Sequence, residues 1–221
     1  MALTPGSGLR VAALIVGGIG LALGLAGAAV THFIPGLVAA EHARLQALPS
    51  PDARAIRSTP IGTEVIAQGR ITGSQPARFR DFVAYIKEEE ERDAKQRERR
   101  GYWKIVEKVT PQLELVTDGG TLRVVNTNYA ITFPANRWRD TSKVIDTAYS
   151  GMVAHEAIFV HGRVAAGGIE AVEVGSGTRA SYLATVGGNV NVAWWLGVGF
   201  QSVGGVLMLV GIAMGLAKAR R

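Results

Sequence analysis

The chain has 221 residues, no cysteine, 28 glycines and a formal net charge of +6. That length holds one ordinary domain plus further segments. The lack of cysteine excludes a disulfide framework, a thiol nucleophile and zinc sites built on thiolates, RING fingers among them.

The first ten residues are followed by a run at 11–34 that contains no Lys, Arg, Asp or Glu. A bilayer core about 30 Å thick is crossed by about 20 helical residues, so this run is predicted to be a transmembrane helix. A cleaved secretory signal fits less well, because its apolar part is typically about 7–15 residues long behind a basic start. Only Arg10 precedes the run here. Ala13, Gly17, Gly20, Gly24 and Ala28 fall near one helical face, a small-residue surface suited to close packing.

Residues 35–60 read as a short helix over LVAAEHARLQALP and then a linker punctuated by Pro, Ser and Asp. From 61 to 180 the apolar residues gather in short runs rich in Val, Ile and aromatics. Strands are predicted over 64–72, 82–88, 102–109, 113–117, 122–125, 157–165 and 169–174. Asp118-Gly119 lies between LELVT and a second apolar run, and it supplies the positive φ angles of a tight hairpin turn. Ala166-Gly167-Gly168 repeats that logic. Short strands with glycine at the turns predict a mainly β domain, a small barrel of OB type.

Between two of these strands, residues 87–100 (KEEEERDAKQRERR) carry six positive and six negative charges. As a helix the stretch would pair Glu88 with Arg92 and Glu91 with Lys95, each pair worth about 0.2–0.5 kcal/mol. Its place between apolar runs favours a long hairpin with a solvated tip. As a docking surface for a charged partner, that hairpin would offer Glu88, Glu91, Arg92, Lys95, Arg97 and Trp103. Tyr85, Tyr102 and Trp103 are expected to brace the core rather than form a binding patch.

His155, Glu156 and His161 offer metal-ligand chemistry, but on one strand the two histidines would stand about 20 Å apart. They are expected to be surface or half-buried side chains. No nucleophile elbow, phosphate loop or dinucleotide fingerprint is present, so neither a catalytic residue, a cofactor nor a metal is expected.

After a linker at 181–191, residues 192–217 form a second run without charge, predicted to be a second transmembrane helix. Trp194 and Trp195 at its start, and Lys218, Arg220 and Arg221 in the tail at 218–221, suit the membrane interface. Gly197, Gly204 and Gly211 recur every seven residues, and Gly211 with Gly215 makes a small-xxx-small pair. These faces suit packing between the two helices or between copies. Gln201 and His32, the strongly polar side chains of the two runs, are explained by an interhelical hydrogen bond or by reaching toward the interface. Basic residues beside the spans place both termini in the cytoplasm and the central domain on the other side. Without those flanks the middle carries 20 basic against 18 acidic residues, a balance of +2. With no basic stripe interleaved with aromatics, a nucleic-acid partner is not expected.

Gly69-Arg70-Ile71, FVAYIKEEEERD, a charged tip, YWKIVEKV and the LELVTDGG hairpin together resemble the GIDE-type, or "beside a membrane", domain. That domain lies between two transmembrane helices in the mitochondrial membrane-anchored E3 ubiquitin ligase family and in prokaryotic relatives. The likeness covers about half the chain and rests on Val83, Tyr85, Glu88, Trp103 and Asp118-Gly119. It implies a domain held beside the bilayer as a binding or regulatory interaction module. Ligase activity does not carry over, because this chain has no cysteine from which to build a RING. The expectation is therefore a two-span, non-catalytic binding protein whose partners are the bilayer, a protein and, through the glycine faces, a second copy. The alternatives are a subunit of an oligomeric channel or transporter, and an accessory of a ubiquitin-like ligase pathway.

Overall fold

The structure, a computed structural model, describes residues 7–91, 102–141 and 145–219. It divides into a helical unit, Met1–Gln46 with Ala184–Arg221, and a β unit, Ala47–Leu183.

Helix α1 spans Ser7–Ala47 and helix α2 spans Arg179–Ala219. Both run past the boundaries expected from sequence. In α1, Pro35 removes one backbone donor without ending the helix, since the good helix formers of LVAAEHARLQA follow it. In α2 the expected linker at 181–191 is helical. Thr178 starts it: Ser181 N donates to Thr178 Oγ1 at 3.2 Å while Thr178 N donates to Ser181 Oγ at 2.9 Å, a reciprocal cap. Val11–Ala47 and Trp194–Met214 are long and apolar enough to cross a membrane.

Within the helical unit the two helices meet through small residues. A Cβ on Gly204 would lie 2.5 Å from Gly24 N and 2.6 Å from Gly20 O, and one on Gly211 would lie 2.8 Å from Gly17 Cα. A Cβ on Gly27 would lie 2.7 Å from both Gln201 N and Gly197 O. Backbone therefore touches backbone at sites seven residues apart on α2, and glycine is what the approach requires.

The β unit is built from ten strands. They are β1 (Glu64–Ile71), β2 (Phe82–Glu91), β3 (Tyr102–Val109), β4 (Leu113–Thr117), β5 (Gly120–Val124), β6 (Ala130–Thr132), β7 (Asn136–Asp140), β8 (Thr147–Val153), β9 (Ala157–Ala165) and β10 (Gly168–Ser176). Strands β5-β4-β1-β9-β10 follow one another in a sheet that closes on itself through a parallel β5–β10 contact at Ile169 and Val124, giving a five-stranded barrel. Closure brings β10 so near β5 that a Cβ on Gly168 would strike the Arg123 carbonyl. Strand β6 extends the sheet by pairing parallel to β10. A second sheet, β3-β2-β8-β7, comes from insertions between β1 and β4 and between β5 and β9.

Alternation of buried and exposed residues, clear in β4, points Leu113 and Leu115 inward to meet Val65, Leu122, Ile158, Val160 and Ile169. Val83, Ala84 and Met152 of the second sheet join the same core. The segment before β1, expected to be a linker, belongs to the unit instead. Asp52 Oδ1 accepts from Arg54 N and Ala55 N, a short 3₁₀ turn follows at Ala55–Arg57, and Ala53 and Ile56 are buried in the core.

Asp118 and Gly119 do form a two-residue turn, with Thr117 facing Gly120. The positive φ falls on Gly120 (+117°), one residue later than Asp-Gly chemistry suggests. At the β9–β10 turn Gly167 takes it (+83°).

Candidate functional site

Three constellations of side chains stand out in the β unit. The first is a trough over the outer face of β4 and β5. Two adjoining depressions of about 660 and 750 Å³ share Glu114, Arg123, Ala166 and Gly167. Glu114 and Arg123 are direct neighbours in the antiparallel ladder, so their side chains project from one face and meet at 3.0 Å. Arg57 borders the first depression and Arg78 the second. The β9–β10 turn forms a shared rim. Thr59 and Thr121 line the first depression, and Ser74 and Thr127 the second.

The second is a histidine held between two carboxylates. Strand pairing sets Glu173 of β10 beside His161 of β9, and Glu64 of β1 reaches it diagonally. Nδ1 is 3.1 Å from Glu173 Oε1 and Nε2 is 2.8 Å from Glu64 Oε1. The Tyr182 hydroxyl donates to the same Glu173 oxygen at 2.5 Å, and its ring stacks on Phe159 at 4.3 Å. Hydrogen bonding to Glu173 raises the His161 pKa above its ordinary value against the opposing effect of burial, and Glu64 adds to the rise. The bond to His161 lowers the Glu173 pKa in return. The arrangement is an imidazole held between two carboxylates, whose hydrogen bonds favour its protonated form.

The third is an aromatic cluster on the second sheet. Phe79 stacks on Tyr149 at 4.2 Å, Tyr85 and Trp138 pack around them, and the Arg80 guanidinium covers the Trp138 ring at 3.8 Å. Burial, then the hydrogen bond to Glu107, pushes the Tyr85 phenol up to about 12. Tyr85 thus braces a core, as sequence suggests, though that of the second sheet. Tyr102 is exposed.

Residues 87–91 of the charged stretch belong to β2 and pair with β3, Glu88 opposite Ile105, Glu90 opposite Trp103 and Glu91 opposite Tyr102. Glu88 meets Arg137 at 3.7 Å, and the Arg139 guanidinium lies 4.8 Å over the Trp103 ring. Arg92, Lys95 and Arg97 lie outside the described residues, as do Arg220, Arg221 and the side chain of Lys218.

Gly20, Gly197, Gly204 and Gly211 lie in the α1–α2 contact. Gly17 and Gly24 offer their backbone to it, while a Cβ on either would meet open space. Gly215 is part of α2. Trp194 and Trp195 are exposed and set edge to face at 4.8 Å. Gln201 Nε2 donates to Thr31 Oγ1 at 3.0 Å, an interhelical bond.

His155 and His161 do not converge. His155 sits in the β8–β9 turn at φ +63°, and among the described residues no group of three His, Asp or Glu side chains is placed to hold a metal. Sequence reasoning missed the trough, and it placed His161 at the surface or half-buried, whereas β9 buries it at 8% exposure between two carboxylates. The alternation of polar Glu114 and Arg123 with buried neighbours was the available signal for the first; the 97-residue separation of Glu64 and His161 left none for the second.

Comparison of the chain with family profiles, with curated proteins and with solved structures finds no match.

Proposed function

We propose that the chain is a membrane-anchored, non-catalytic binding protein. Helices α1 and α2 span a bilayer, and a barrel of OB type beside it recruits a partner through the trough over β4 and β5. The observation that carries the reading is the exposure of the helical unit. Leu14, Leu25 and Leu209 are 76%, 63% and 68% exposed, and Val11, Ile19, Phe33, Val203 and Leu216 join them. A soluble surface rarely shows so wide an apolar face, and lipid is the solvent that suits it.

Strand order supports the barrel type. Numbered along the chain as first to fifth, β1, β4, β5, β9 and β10 pair so that the third closes on the fifth, and the trough crosses the second and third strands beneath the turn joining fourth and fifth. OB folds bind ligands on that face. The resemblance to the GIDE-type domain adds the expectation of a regulatory module, and positive residues beside the spans favour a domain outside the cytoplasm.

Membrane fractionation tests the anchor: the full chain is expected to pellet with membranes and to resist alkaline carbonate. Recovery in the supernatant without detergent overturns the reading. Protease protection in intact and opened cells tests the orientation.

A further inference from the structure

We infer that the trough over β4 and β5 holds an extended peptide segment in which Asp or Glu alternates with apolar residues; this rests on reading the barrel as a binding module. The two depressions form one path because they share Glu114, Arg123 and the Ala166–Gly167 rim. The Glu114–Arg123 pair divides that path and neutralises itself. Arg57 on one side and Arg78 on the other have no side-chain hydrogen bond or ion pair among the described residues. The path thus carries two uncommitted guanidiniums, one each side of a fixed divider, and a formal charge of +2.

Guanidinium is the cation best shaped for carboxylates, gripping both oxygens through parallel N–H donors. Two of them set apart suit carboxylates spaced along one chain better than a single compact anion. On the Arg57 side the first depression also carries apolar side chains, Ile56 and Leu122, both buried, and Ile61, 75% exposed. That supplies a place for the intervening side chains. A nucleic-acid strand would share the negative charge, but single strands are held by bases stacked on aromatic rings. Neither depression is lined by a Phe, Tyr, Trp or His.

The test uses full-length protein in nanodiscs of phosphatidylcholine, which bears no net charge, and a short fluorescein-labelled peptide of alternating Glu and Val. The Glu-Val peptide is expected to bind at least about tenfold more tightly than its Lys-Val counterpart and to weaken as salt rises from about 0.05 to about 0.5 M. The double variant Arg57→Gln, Arg78→Gln should lose about tenfold or more, with an unchanged melting curve, while Lys108→Gln on the second sheet stays within about twofold. Equal binding of the two peptides, an unchanged double variant, or displacement of the peptide by an equal concentration of oligothymidylate overturns the inference. In each of those cases the anchoring reading survives, provided the protein has entered the nanodiscs. Failure to enter them defeats the anchoring reading itself.

Discussion

Nδ1 of His161 lies 3.1 Å from Oε1 of Glu173, an oxygen that also accepts the Tyr182 hydroxyl. The two partners move apart in titration: His161 rises from its ordinary 6.5 and Glu173 falls from its ordinary 4.5. The histidine's contribution to stability is complete below the unfolded pKa and disappears as pH climbs through the folded one. The glutamate's contribution is complete above its unfolded pKa and disappears as pH drops through its folded one. Stability from this pair is therefore expected to be greatest between about pH 5 and 6.5. Melting temperature measured from pH 5 to 9 should fall on the alkaline side, and His161→Gln should flatten that fall. An equal alkaline decline in the variant would refute the assignment.

Contact between the helices predicts an asymmetry among similar glycines. Gly204→Ala places a methyl against the backbone of Gly20 and Gly24, whereas Gly24→Ala places one in open space. The first should cost about 1–3 kcal/mol of helix association and the second almost nothing. Cysteines introduced at Thr31 and Gln201, whose side chains touch at 3.0 Å, report the outcome. Disulfide yield should drop several-fold with Gly204→Ala and hold with Gly24→Ala.

Tyr129 is fully buried and donates its hydroxyl to the Pro111 carbonyl at 2.8 Å. Burial alone drives the phenol pKa far above its ordinary value, so the group stays a donor at any workable pH. Tyr129→Phe leaves that carbonyl without its partner and should cost about 1–3 kcal/mol. Chemical denaturation of the full chain in detergent, showing a lower midpoint with an unchanged slope, would bear this out.

Gly151 sits between β2 and β7, where a Cβ would strike the Ala84 carbonyl and lie 2.8 Å from Tyr85 Cα. Gly151→Ala should loosen the second sheet while the barrel persists. Hydrogen exchange resolves the two, with faster exchange expected in β2 and β8 and little change in β1 and β9.

What was legible in the sequence follows from what is local. All seven predicted strands are present because each has a short Val- and Ile-rich run with a turn signal beside it. Strand β8, TAYSGMV, is not legible because small residues and glycine mask its pattern, β6 has only three residues, and β7, NRWRD, has a single apolar residue. The trough depends on Arg57, Arg78 and Arg123, which no motif links along the chain. Likewise the clamp at His161 joins β1, β9, β10 and the start of α2, and the pairing of β1 with β9 is a contact that nothing local in the sequence announces.

The barrel's last strand is also its keystone. Strand β10 ends at Ser176 and α2 begins at Arg179, while the seam at Ile169 needs Val124, synthesised much earlier. A chain emerging from the ribosome must hold β5 and β9 with bare edges until β10 follows, and α2 arrives directly behind it. Completion of the barrel and delivery of the second helix are thus near-simultaneous events in biosynthesis. Any pause before Ser176 leaves unpaired strands open to mispairing with neighbouring nascent chains.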